Sequence, residues 1–395
     1  MERLYWNNDW KFAETWEEAM KEAVYPENEM EDVRLPHTCK ELPYHYFDEH
    51  AYQMLCGYRR HFMAPEAWQG KSVELTFEGV AHDAVVYVNG TEVKAHHCGY
   101  TAFFVEIAKY LKYGEDNVLA VRVDSRENLN IPPFGYAIDY MTFGGMYREV
   151  YVQVRNKTHL ADVFIKPQIH PLQVTTEITV QNISDGITLQ QEIRKKGEGA
   201  YSPLGKKPVK QTNVQTVFPV QEICLWEPEN PHLYEIRTSL WKNGEMIDAR
   251  VDITGFREAG FRKDGFYLNG KKLRLRGLNR HQSYPYVGYA APASMQIFDA
   301  DILKKELGVN AVRTSHYPQS QDFIRRCDEI GLLVFTEFPG WQHIGGEEWK
   351  RQAMQNLKEM IVQYRNHPSI ILWGVRINES QDDDVFYRET NRVAH

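Results

Sequence analysis

The hydrophobic period of this chain changes once, near Gly255, and that change narrows the folds open to it. Before it, apolar and polar residues alternate in short runs, as in half-buried strands. After it, short apolar runs alternate with longer stretches of helical spacing, so an all-β region precedes an α/β region. In the first part Glu74-Leu-Thr-Phe-Glu78 alternates, and Ala84-Val-Val-Tyr-Val88 runs into Asn89-Gly90, a hairpin turn pair, with Thr91-Glu-Val-Lys94 as the returning strand. Residues 117–123 and 149–154 add strands, and the reading over residues 1–155 is a jelly-roll β-sandwich. Residues 156–257 place strands at 162–165, 177–180, 234–237 and 249–253 around a Lys-, Gly- and Pro-rich stretch at 192–210. That spacing fits an immunoglobulin-like β-sandwich, whose plainest role is a spacer.

Residues 258–395 read as α/β. Leu273-Arg-Leu-Arg-Gly277 is the first expected strand. A helix over 296–307 follows, with Phe298, Ile302, Leu303 and Leu307 on one face and Gly308 as its stop. Strand 310–313, helix 321–330 between Ser320 and Gly331, strand 332–335, a helix around 349–364, strand 370–373 and a helix from 384 complete the series. Four strand–helix pairs make the first half of a (β/α)8 TIM barrel, a fold that needs ~250 residues. The expectation is the amino-terminal part of a longer protein. A partner chain that completes the barrel, or a smaller open α/β domain, are the alternatives.

Composition removes several functions. Lys and Arg number 46 against 54 Asp and Glu, a net charge of -8, so no basic field exists to hold nucleic acid. The amino terminus has no apolar signal core, and no run approaches the ~18 apolar residues of a membrane span. Five cysteines, Cys39, Cys56, Cys98, Cys224 and Cys327, are odd in number and widely spaced. They imply a reduced, cytoplasmic protein without a disulfide frame or a cysteine zinc site.

Function in such barrels sits at the C-terminal ends of the strands. There the sequence places Asn279-Arg-His281, Arg313-Thr-Ser-His316, Glu337 and Asn378-Glu379, so every strand delivers polar groups to one rim. Glu379, just past an apolar strand, is either a desolvated carboxyl with a raised pKa that serves as a general acid, or a helix N-terminal carboxylate like Asp382, Asp383 and Asp384. Asn378 is either an amide that grips a substrate hydroxyl or a turn residue.

Leu278-Asn-Arg-His281, Asn310-Ala-Val-Arg-Thr-Ser-His-Tyr-Pro318, Cys327-Asp-Glu-Ile-Gly331, Arg365-Asn-His-Pro-Ser-Ile370, Trp373 and Asn378-Glu379 closely resemble glycoside hydrolase family 2, which contains β-galactosidases, β-glucuronidases and β-mannosidases. Upstream, Gly79-Val-Ala-His-Asp-Ala-Val-Val-Tyr-Val-Asn-Gly90, Asp139, Gly145-Met-Tyr-Arg148 and Leu225-Trp-Glu-Pro-Glu-Asn-Pro-His-Leu-Tyr234 resemble its sugar-binding and immunoglobulin-like domains. The resemblance implies that Glu379 is the acid/base and that Asn378 binds the sugar 2-hydroxyl. It implies that His281 and His316 line the pocket, that Arg313 orients the nucleophile, and that Asp139 reaches in from the jelly roll. The alternative for Asp139 is a turn residue accepting backbone donors. Glu337 matches a supporting rim acid.

Retaining glycosidases use two carboxylates, and the family's nucleophile, a Glu on a later strand, has no match in residues 1–395. The resemblance therefore implies a retaining, exo-acting hydrolase of β-linked sugars, β-galactosides first and β-glucuronides second, with little activity in this chain alone. A non-catalytic carbohydrate-binding or assembly subunit is the rival, and a homo-oligomer or a barrel-completing chain are the partners implied. Mg²⁺ is the one metal in question. β-Galactosidases of the best-known type place Glu-x-His after the third strand, and here Trp341-Gln-His343 keeps His343 without the carboxylate. One extra residue between Trp373 and Asn378 is expected to form a local bulge.

Overall fold

A computed structural model describes residues 3–43, 45 and 48–395. The amino-terminal part is a jelly-roll sandwich of two antiparallel sheets. One orders Leu4–Tyr5, Val150–Arg155, Ser72–Phe77 and Phe103–Glu106. The other orders Glu31–Val33, Trp10–Ala13, Leu55–Met63, Asp116–Asp124, Asp83–Val88 and Thr91–His96. The alternating residues of these strands, among them Val73, Leu75, Phe77, Val86, Val121 and Val152, meet in one core with Trp6, Trp10 and Tyr58. The hairpin at Asn89-Gly90 forms as expected, both residues taking positive φ (50° and 83°).

The second sandwich packs His159–Ile169, Leu172–Gln181 and Asn213–Pro219 against Ser202–Pro208, Ile187–Lys195, Tyr234–Lys242 and Glu245–Thr254. The stretch at 192–210, which showed no strand pattern, holds the end of one strand and all of another. Ser202–Pro208 is a sheet edge paired on one side only, and its Lys206, Lys207 and prolines suit an edge that must not recruit further strands.

The four-stranded parallel sheet orders Gly277–Arg280, Ala311–Thr314, Leu333–Glu337 and Ile370–Gly374, with helices Ala293–Asp301, Gln321–Ile330, Glu347–Tyr364 and Asp384–Ala394 between and after the strands. Ser320 caps its helix through Asp322 N–H, and Gly331 ends it at φ 69°. The first strand begins later than expected. Lys271–Leu273 pairs instead with Gly265–Leu268 in a small antiparallel sheet. Parallel pairing starts at Gly277, where an added Cβ would stand 2.4 Å from the Ala311 carbonyl oxygen, so only glycine allows the approach. The first helix also differs. It spans Ala293–Asp301 and continues as a π turn at Ile302–Glu306, burying Ala300 and Leu303 while Phe298 and Leu307 are 59% and 56% exposed. The bulge expected after Trp373 lies before it, at Ile371, where Val334 pairs with Ile370 and Phe335 with Leu372.

Polar motifs on the far side of the sheet join the parts. Asp328 accepts from Ser369 N–H (3.0 Å) and pairs with His367 Nδ1 (2.5 Å), while its carbonyl accepts Trp226 Nε1–H (2.9 Å). Asn366 exchanges hydrogen bonds with Ile165 N–H and the Val163 carbonyl, both at 2.9 Å, which stitches the α/β part to the second sandwich.

His82 shows how the jelly-roll core treats an ionisable group. Its ring lies between Tyr100 and Phe134, Nε2–H donates to the Thr142 carbonyl (3.1 Å), and buried Nδ1 has no partner among the described residues. Burial takes His82 down to about 4, and likewise His37 to about 4. Below about pH 6.5 the unfolded chain protonates these rings and the folded chain does not, so their contribution to stability declines as pH falls toward 4. Glu78, pushed up to about 7 by burial, acts oppositely, because the folded chain holds its extra proton as pH rises from the carboxylate range. Thermal unfolding between about pH 6.5 and 5 is expected to be less pH-sensitive in His82→Phe than in the wild type, by up to about 1.4 kcal/mol per pH unit; equal slopes would refute the buried neutral imidazole.

Candidate active site

The C-terminal rim of the parallel sheet gathers the residues singled out in the sequence. Register aligns Asn279 with Arg313, Arg313 with Phe335, and Phe335 with Leu372 as one row across the sheet. From that row Arg313 reaches upward. Its Nη2 donates to Glu337 Oε2 (2.9 Å) and to Asn378 Oδ1 (2.8 Å), and its Nε also donates to Glu337 (3.2 Å). His316 Nδ1 lies 2.7 Å from Glu337 Oε1. Glu337, 3% exposed, thus holds an arginine and a histidine with its two oxygens.

His281 follows the first strand, with Nδ1 3.1 Å from the Tyr317 hydroxyl and its ring 5.5 Å from that of His316. Burial, and then the neighbouring His316, take His281 down to about 4, so it is neutral near pH 7. Asn378 Oδ1 is fixed on Arg313, which leaves its amide nitrogen as the end available to a hydroxyl.

Glu379 is not desolvated as expected: it is exposed in these 395 residues, at φ 54°, and accepts from Gln342 Nε2 (3.2 Å). Nor is it a helix cap. That part belongs to Asp383, which accepts from Phe386 N–H (3.0 Å) and pairs with Lys350 (2.7 Å). A hollow of about 320 Å³ is lined by Arg313, Phe335, Glu337, Asn378 and Glu379 among others.

The jelly roll lends a segment to this rim. Between its strands Asp116–Asp124 and Val150–Arg155 the chain crosses above the parallel sheet and is pinned there, Trp349 Nε1–H donating to the Phe134 carbonyl (3.1 Å) and the Tyr289 hydroxyl to the Met141 carbonyl (2.7 Å). The crossing carries Asp139, exposed and close enough for its charge to act on His281, and Tyr140. Tyr140 was missed by sequence reasoning, which had no motif to flag it. Its ring packs against His281 (5.1 Å), His316 (6.0 Å) and Trp341 (6.3 Å), and its buried hydroxyl has no partner among the described residues.

The Mg²⁺ expectation does not fit these side chains. Trp341 stands where the carboxylate would be and packs on His316 (4.9 Å). His343 is turned between Tyr136 (4.9 Å) and Trp349 (5.9 Å), against Gly135, where an added Cβ would come within 2.0 Å of its ring. Among the described residues no three His, Cys, Asp or Glu side chains form a metal-sized cluster. No helix among them is long and apolar enough to cross a membrane. The cysteines described are free, all buried except Cys224.

A jelly roll, an immunoglobulin-like sandwich and part of a TIM barrel, with a polar rim at the strand ends, define a multidomain carbohydrate-active architecture. Residues 31–155 match the sugar binding domain of glycosyl hydrolases family 2, residues 158–257 match the family model described as glycosyl hydrolases family 2, and residues 260–392 match the family's TIM barrel domain. The chain belongs to glycosyl hydrolase family 2. A β-galactosidase of Thermoanaerobacter pseudethanolicus is 48% identical over 400 residues, covering 99% of this chain and 54% of that protein. A β-galactosidase of Thermoanaerobacterium thermosulfurigenes is 46% identical over 98% of this chain and 56% of its own length. The structure of Bacteroides uniformis β-glucuronidase 2 covalently bound to cyclophellitol-6-carboxylate aziridine superposes with a TM-score of 0.90 at 28% identity, covering 100% of this chain and 51% of that one. The chain spans about half the length of the relatives it matches.

Removing the Glu337 charge leaves Arg313 and His316 facing a neutral amide. Glu337→Gln is expected to lower stability by about 3 kcal/mol, read as a shifted denaturant midpoint at unchanged slope, because one partner of a buried pair is lost. A midpoint like the wild type's would show that the carboxylate does not organise the rim.

Proposed function

We propose that this chain carries the substrate-binding and acid/base half of a retaining, exo-acting β-glycosidase, with β-galactosides as the leading substrate. The observation that carries the reading is the convergence of His281, Arg313, His316, Asn378 and Glu379 on one rim, under a jelly-roll segment bearing Asp139 and Tyr140. The leading substrate is supported by the two relatives at 48% and 46% identity, both β-galactosidases. β-Glucuronides are the second candidate, supported by the fold neighbour of that activity.

In this reading Glu379 protonates the departing glycosidic oxygen and later removes a proton from the attacking water. The nucleophile is a carboxylate on a later barrel strand outside these residues. A covalent adduct in the neighbouring structure supports a mechanism through a glycosyl-enzyme. Asn378 donates its amide to the 2-hydroxyl, a contact that gains strength as charge develops in the transition state. His316, whose Nδ1–H donates to Glu337, offers Nε2 as an acceptor, while neutral His281 presents the second imidazole. Arg313 keeps Asn378 in place and adds positive charge beside the nucleophile's seat. Asp139 accepts from sugar hydroxyls at the mouth. No step needs a metal.

Hydrolysis of aryl β-galactosides, β-glucuronides and β-mannosides by this chain, and by the chain extended with the C-terminal part of the T. pseudethanolicus relative, tests the proposal. Turnover is expected only in the extended form, fastest on the β-galactoside, and Glu379→Gln should lower it about 10²–10⁴-fold. Sugar binding without turnover in either form would favour the carbohydrate-binding subunit. Turnover by the 395-residue chain that Glu379→Gln abolishes would place both carboxylates within it.

A further inference from the structure

Gln342 is only the middle residue of the Trp341-Gln-His343 stretch and has no role assigned from sequence, yet its geometry is closely determined. It sits at φ 53° opposite Glu379 at φ 54°, two non-glycine residues in left-handed conformation on facing turns. Such residues persist where the surroundings over-determine them. Here the surroundings are a backbone bridge between Trp341 and Asn378 and the hydrogen bond from Gln342 N–H to the Asn378 carbonyl (2.8 Å). From that turn the side-chain amide donates to Glu379 Oε2 at 3.2 Å. Beside it, Trp341 fills the place of a metal-binding carboxylate with an indole packed on His316.

We propose that Gln342 is the positioning residue for the acid/base carboxyl, taking the place of a metal ion; this rests on Glu379 being the acid/base. The chemistry suits the task. An acid/base residue must be held both as carboxylate and as carboxylic acid in one catalytic cycle. A primary amide can do both, since its NH₂ donates to the carboxylate and, turned over, its carbonyl accepts from the acid. A cation would hold only the ionised form. In the free protein the amide N–H donates to the Glu379 carboxylate. Both side chains are exposed, so replacing Gln342 removes this contact without opening a core.

The test uses whichever form of the protein hydrolyses aryl glycosides in the panel above. Phenyl glycosides need a proton on the leaving oxygen, whereas 2,4-dinitrophenyl glycosides do not. Gln342→Met is expected to lower kcat/KM about tenfold on the phenyl substrate and less than about twofold on the dinitrophenyl one. The basic limb of the kcat/KM–pH profile should move up by about half a unit in Gln342→Met and further in Gln342→Glu, where a like charge faces Glu379. Activity should also be indifferent to chelators.

Equal losses on both substrates with an unmoved basic limb would reduce Gln342 to a structural role and overturn the proposal. Glu379→Ala separates the two levels. If it shows the same leaving-group dependence and azide restores its turnover with the activated substrate, the acid/base reading stands, and only the role of Gln342 is at issue. If it shows neither, the acid/base reading falls, and the role of Gln342 falls with it.

Discussion

The guanidinium of Arg148 ties the jelly roll to the strand ends on which the site is built. It is 4% exposed. One nitrogen donates to the carbonyls of Glu78 (3.3 Å) and Tyr100 (3.1 Å) within the jelly roll. The other donates to Gln282 Oε1 and the Pro318 carbonyl, both at 3.1 Å, on the loops after the first two barrel strands. The two terminal nitrogens of Arg148 thus meet four acceptors, while buried Nε has no partner among the described residues. Burying a guanidinium is costly unless such acceptors are supplied, so the four come together as the domains dock. His281 precedes Gln282 and His316 lies two residues before Pro318, so this docking also sets the two imidazoles. The stacked rings of Tyr100 and Tyr317, 4.4 Å apart, close the same junction with apolar surface.

Around that junction the rim divides into groups that hold and groups that remain free. Glu337 is buried and fully engaged, and its value lies in fixing Arg313 and His316. Glu379 and Asp139 are exposed. Glu379 is exposed because the four parallel strands described lie to one side of it. On the inner row of the sheet Asn279 and Leu372 are also uncovered. A carboxyl gains the raised pKa of a general acid when low-dielectric walls enclose it, and four strands supply walls on one side only.

The sequence carried two kinds of motif that look alike on paper. Leu278-Asn-Arg-His281 and Asn378-Glu379 sit at the strand ends, but the Arg280 within the first turns to the helices, where it meets Asp299 and Gln296 at 2.8 Å. Cys327-Asp-Glu-Ile-Gly331 and Arg365-Asn-His-Pro-Ser-Ile370 meet at the opposite side, where Asp328 and Asn366 fasten domains together. Spacing cannot separate them, because both kinds need polar side chains at strand or helix ends. The positions of Tyr140 and Gln342 at the rim went unread for a different reason. Each is an ordinary residue in irregular chain, and its importance arises from what lies across from it in space.

Local chemistry by itself determined the order of the layers, most helix boundaries and the identity of the rim. Alternation, Asn-Gly turns, a serine cap and terminal glycines act over a few residues and so can be read from them. Tertiary structure decided the rest. It moved the first barrel strand to Gly277, turned Phe298 outward, and set His343 edge-on between the rings of Tyr136 and Trp349. It also set Gln342 against Glu379, because backbone pairing between two loops 37 residues apart depends on sheet register.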